Sequence, residues 1–194
     1  MERLFKSGND ERDAYLSRVF GIFNEKIVTT WCKGAAPYED LGRPTVFKHG
    51  ESGFATLDFT LRNRASGQVY VAELKCELQF ENYKYLRLSD PGQLRHHGLK
   101  AFQWFCDLAL NQSDYHVKVK GRPCEVHGAI LIWGATTPEG VDAVKRLYRF
   151  QDVLSLEDMI TALNAQTGCQ DYRNLIIERD TWWRQLVMGL LGEA

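Results

Sequence analysis

Apolar residues at Leu16, Val19, Phe20, Phe23 and Ile27 recur three and four apart, which predicts an α-helix from about Asp10 to Lys26, with Ser7 or Asn9 able to cap its start. Residues 33 to 53 lose that period. They carry Gly34, Pro37, Gly42, Pro44, Gly50 and Gly53, and read as loop with a short edge strand near Thr45 to Lys48. The period then drops to two. Thr56 to Asn63 and Gln68 to Cys76 alternate as strands around the turn RASG (64 to 67), which predicts a β-hairpin.

Ser89-Asp90-Pro91 opens a second predicted helix that runs to about Leu110, with proline near its first position. Its buried stripe would be Leu94, Gly98, Ala101, Phe105 and Leu108, and Gln93, His97, Lys100 and Trp104 fall on a separate stripe. The nearly continuous apolar run Glu125 to Thr136 suggests a strand covered on both faces. Thr137-Pro138-Glu139 starts a third helix to about Phe150, and Ser155 to Asn164 a fourth, with Ser155 and Asp158 as its capping box. From Asp180 to Leu191 a last amphipathic helix carries Trp182, Trp183, Leu186, Leu190 and Leu191, read as core or as a contact with a second copy of the chain. This order predicts an α/β fold: a mixed central sheet flanked by helices, in one domain with its core over about residues 10 to 136 and a helical extension over 137 to 194.

Composition narrows the picture without deciding it. With 194 residues and 44% hydrophobic content, the chain can bury a sizeable core. No apolar run reaches the length of a membrane span and no secretory signal is visible, so a cytoplasmic protein is expected. Cys32, Cys76, Cys106, Cys124 and Cys169 are scattered and odd in number, which favours reduced thiols over a disulfide framework or a zinc knuckle. A net charge of -1 gives no long-range pull on a polyanion. Any nucleic acid must be met locally, and two patches offer this: Lys84, Arg87, Arg95, His97 and Lys100 in the first, Lys118, Lys120 and Arg122 in the second. Adjacent His96 and His97 point about 100° apart on a helix and make poor joint ligands.

The hairpin carries the candidate chemistry. If Asn63 pairs with Gln68, antiparallel register places Asp58 opposite Glu73, with Lys75 on the same face. Facing carboxylates repel unless a cation lies between them, and oxygen ligands suit Mg²⁺ or Mn²⁺ rather than zinc. The plain structural alternative is that Lys75 neutralises both acids in an ion-pair cluster. Glu77 is in phase with Glu73 and Lys75, as an extra ligand or a charge at the strand end.

A first helix with an acidic residue, a hairpin bearing D then E-x-K, and a helix after the E-x-K strand together resemble the PD-(D/E)xK, or restriction-endonuclease-like, nuclease superfamily over roughly Glu11 to Thr136. Leu57 stands where the name-giving proline would be, and the link from Lys75 to Gln93 is longer than in compact members. The resemblance implies a Mg²⁺-dependent hydrolase of DNA phosphodiesters, with Mn²⁺ as substitute, acting in repair, recombination, restriction or defence. Asp58 would be the motif aspartate, and Glu73 and Lys75 the E-x-K pair. Asp58, Glu73 and the Leu74 backbone carbonyl would hold the ion. Glu11 resembles the acid on the first helix, with Glu25 as its competitor, and Gln93 resembles the glutamine of the following helix. Lys75, beside two acids, would orient water and stabilise negative charge. A binding module of the same fold without turnover, or an RNA or small-molecule phosphodiesterase, are the alternatives.

Overall fold

A computed structural model describes residues 7–34, 36–76, 86–95, 97–165 and 169–192. In chain order the elements are α1 (Asp10–Lys33), β1 (Tyr38–Asp40), β2 (Pro44–Lys48), β3 (Ala55–Thr56), β4 (Phe59–Asn63), β5 (Val69–Lys75) and β6 (Arg87–Leu88). There follow α2 (Lys100–Leu110), β7 (Tyr115–Val119), β8 (Arg122–Cys124), β9 (Ala129–Trp133), β10 (Ala135–Thr136), α3 (Pro138–Tyr148), β11 (Asp152–Ser155), α4 (Leu156–Ala165) and α5 (Gln170–Leu191). The fold is mixed α/β, with a mixed sheet between helices. Its main sheet has the order β1-β4-β5-β9-β11. The pairs β1–β4 and β4–β5 are antiparallel, and β5–β9 and β9–β11 parallel. An antiparallel sheet, β3-β2-β7-β8, stands beside it, and β6 pairs with β10.

Helices cover both faces of the main sheet, and the strands show why. On one face Phe59, Leu61, Tyr70, Ala72, Ile130 and Ile132 pack with Ile27, Val28 and Cys32 of α1 and with Leu156, Met159 and Leu163 of α4. On the other, Val71, Leu131 and Trp133 pack with Phe102, Phe105 and Leu108 of α2 and Val144 of α3. A strand buried on both sides has no reason to alternate, which accounts for the AILIW run. Each fully buried Leu or Ile contributes about 1.5–3 kcal/mol.

Several expectations require correction. The first helix continues to Lys33: Ile27, Val28 and Thr30 are β-branched and poor helix formers, but burial against the sheet outweighs that preference. The strand near Thr45 to Lys48 lies inside its sheet, paired on both sides by β3 and β7. The helix expected from Pro91 to Leu110 is broken into a 3-10 turn at Pro91–Leu94 and α2. Gly92 and Gly98 each cost a helix about 1 kcal/mol relative to alanine. Gln93 also spends its side chain closing the turn. The last helix starts ten residues earlier than expected, at Gln170. Its Trp182, Trp183, Leu186, Leu190 and Leu191 are exposed rather than core. Among the described residues, no helix is long and apolar enough to cross a membrane.

Candidate metal centre

The hairpin forms in the expected register. The Asn63 amide donates to Gln68 O at 2.8 Å, and Phe59 pairs with Ala72. Counting back one residue puts Asp58 across from Glu73, in the non-hydrogen-bonded type of pair, where side chains come closest.

Pairing stops there because the chain leaves the sheet. Leu57 donates its amide to Pro44 O at 3.3 Å and packs among residues of the neighbouring sheet. No backbone partner from β4 then reaches Leu74, and Asp58 fills the gap: its Oδ2 accepts from the Leu74 amide at 2.9 Å. A strand residue points its N–H and C=O to the same side, so the Leu74 carbonyl is aimed at this same open end.

Glu73 and Lys75 follow Val71 on the face covered by α2. Glu73 is 6% exposed, and its Oε1 accepts from Lys75 Nζ at 2.8 Å. Its Oε2 is buried and has no hydrogen-bond partner among the described residues. Burial raises the Glu73 pKa, the charge of Asp58 raises it further, and Lys75 offsets part of the effect. Lys75 Nζ lies 5.3 Å from the centre of the Phe102 ring. Cys106 of α2 faces the same acid: burial, with Glu73 adding, pushes its thiol up to about 12.

An unexpected residue completes the arrangement. Arg43, just before β2, reaches Asp58 Oδ1 at 3.1 Å and Glu25 Oε2 at 3.7 Å. Glu25 is therefore the α1 acid tied to the hairpin. Glu11, exposed in the first turn of α1, stands fourteen residues away, about 20 Å along the axis. Arg43 lies in a loop with no periodic signal, and only the fold brings it here.

The other expected residues divide. His97 packs against Phe102 at 4.8 Å and Trp133 at 5.8 Å between ring centres, which puts it beside Lys75, since Lys75 and Trp133 are register partners. Gln93 is held elsewhere. It is buried, its Oε1 accepts from the Ser89 and Asp90 amides at 2.7 and 2.9 Å, and its Nε2 donates to Arg87 O at 3.0 Å. Lys100 pairs with Glu51 at 3.5 Å, its Nζ 4.3 Å from the buried Trp104 ring, and Arg87 pairs with Glu157 of α4 at 3.5 Å. Arg95 is exposed in the turn after Leu94. Lys118 and Arg122 are exposed on β7 and β8, joined by a two-residue turn in which Lys120 and Gly121 both take positive φ. That turn brings Lys120 to the loop that carries Arg43: its Cε lies 3.3 Å from where a Cβ on Gly42 would be. Lys84, Glu77 and His96 lie outside the described residues.

The donors fit a hard divalent cation. Asp58, Glu73 and Glu25 bring three carboxylates against two cations, Arg43 and Lys75. Glu73 keeps one oxygen without a hydrogen-bond partner among the described residues, and the Leu74 carbonyl adds a neutral one. No group of three or more His, Cys, Asp or Glu placed as metal ligands occurs among the described residues, so the cage would rest on two acids, the carbonyl and solvent. No family model, curated protein or solved structure matches this chain.

Proposed function

We propose that the protein is a metal-dependent nuclease of the restriction-endonuclease-like type, hydrolysing phosphodiester bonds in DNA. The observation that carries this reading is Glu73 Oε2, buried with no hydrogen-bond partner among the described residues, on an acid across the hairpin from Asp58 and with Lys75 alongside. A purely structural cluster would satisfy that oxygen, because a buried carboxylate left short of partners costs stability. The element order agrees: a helix, three antiparallel strands, a helix and a parallel strand lie around the acids.

Asp58, Glu73 and the Leu74 carbonyl would hold Mg²⁺ or Mn²⁺. Such an ion lowers the pKa of water and offsets charge developing on phosphate. Lys75, tied to Glu73 and lying over Phe102, orients the attacking water and stabilises the negative charge of the transition state. Phe102, Trp133 and Cys106 make a dry floor that strengthens those interactions. Lys120, whose Cε lies beside Gly42 on the Arg43 loop, would meet a flanking phosphate.

The Arg43–Asp58 ion pair favours a second reading, a binding module in which arginine replaces the metal and no turnover occurs. Plasmid assays decide between them. Nicking of supercoiled DNA in Mg²⁺ or Mn²⁺, absent with EDTA and absent in Asp58→Ala, supports the nuclease. Metal-stimulated cleavage restricted to RNA would change the substrate. No cleavage of either polymer would leave the silent module.

A further inference from the structure

We propose that Arg43 is a resident counter-ion for the metal centre, displaced from Asp58 when a divalent cation binds and then free to hold a substrate phosphate. The inference rests on the metal-site reading above and adds a residue whose position the ion controls. Arg43 spans two carboxylates of the site, Asp58 Oδ1 at 3.1 Å and Glu25 Oε2 at 3.7 Å. It therefore occupies the open side of Asp58, whose other oxygen is already engaged by the Leu74 amide. Its side chain is 56% exposed, so the guanidinium can swing outward without disturbing the core.

A guanidinium here does electrostatically what an ion would do, less completely. It neutralises Asp58 but makes no ion pair with the deeper acid, Glu73, which is tied to Lys75 and whose Oε2 has no hydrogen-bond partner among the described residues. A compact divalent ion can satisfy both acids at once, and arginine cannot. Once released, Arg43 would share its loop with a second cation, since Lys120 Cε lies 3.3 Å from the place of a Cβ on the neighbouring Gly42. A guanidinium fork matches the geometry of a phosphate. Gly42 has φ 112 and leaves the room that Lys120 occupies, so the loop is shaped to bring both cations to one edge.

The test is Mn²⁺ titration of the full chain, by electron paramagnetic resonance of the free ion, for wild type, Arg43→Ala and Arg43→Lys. If Arg43 competes with the metal, the alanine variant binds Mn²⁺ roughly 1.5- to 5-fold more tightly, the range expected from loss of an exposed ion pair. The lysine variant falls between. In Ca²⁺, the affinity of both variants for a phosphorothioate DNA duplex falls relative to wild type. Thermal melts should coincide, since the side chain lies outside the core. Equal Mn²⁺ affinity in all three proteins overturns the inference while the metal centre stands. Absence of Mn²⁺ binding in all three overturns the metal centre and the inference with it.

Discussion

Two clusters in this protein pair a carboxylate with a lysine and end in opposite states. Asp107 on α2 accepts from Lys48 at 2.9 Å, Tyr115 Oη at 2.7 Å and Asn111 Nδ2 at 2.8 Å. With Tyr115 contributing most, these donors hold its carboxyl below the usual range. Glu73 has one lysine, one oxygen without a partner among the described residues and a pKa pushed upward. The chain thus has the means to satisfy a half-buried carboxylate fully, and does so at Asp107. Under-satisfaction at Glu73 is a local property of the hairpin end, of the kind that accompanies sites awaiting a ligand.

The sharpest way to break the contrast is Lys75→Ala. If the cluster is a site, metal-dependent cleavage falls about 100-fold or more, the scale of losing one transition-state donor, while circular dichroism in Mg²⁺ still reports the folded chain; melting in EDTA falls, because buried Glu73 loses its lysine partner. Retained turnover would remove Lys75 from the chemistry.

The hairpin was legible in the sequence because its register follows from turn length and from a side-chain period of two. Asp58, Glu73 and Lys75 could be put on one face by counting. Neighbours that arrive through tertiary contacts could not be counted. Arg43 is separated from Asp58 by a strand, a loop and a second strand, and its ion pair depends on how two sheets meet. Gln93 and Lys100 looked like members of one helical stripe until Gln93 turned to cap its own 3-10 turn. Glu25 surpassed Glu11 because α1 docks along its C-terminal half, at Ile27, Val28 and Cys32, and so carries the later acid to the hairpin.

A smaller effect tests the satisfied cluster. Asp107→Asn should cost on the order of 1–2 kcal/mol by weakening three hydrogen bonds, measured by urea unfolding at neutral pH. Because the folded-state pKa of Asp107 is lowered, its contribution is present above the unfolded value and fades as pH falls from about 3.8 downward. The variant should therefore approach wild type in acid. A constant gap down to low pH would show that packing, not charge, holds the cluster.

Glu73→Gln should move the other way and by less. A carboxyl whose pKa is raised on folding opposes the folded state when ionised, so metal-free wild type loses stability as pH climbs above 4.5 through the folded-state value. The glutamine variant lacks that loss, and in EDTA its melting temperature should exceed wild type at pH 8 and converge with it in acid. Destabilisation by this substitution at pH 8 would mean that Glu73 is already satisfied by the protein alone.

Diffraction from Mn²⁺-soaked crystals, collected for anomalous signal, bears most directly on the central claim. A peak is expected between the carboxylates of Asp58 and Glu73, within ligand distance of Glu73 Oε2 and the Leu74 carbonyl, with Arg43 withdrawn from Asp58. Saturating Mn²⁺ with no peak there, and Arg43 still paired with Asp58, would contradict that claim.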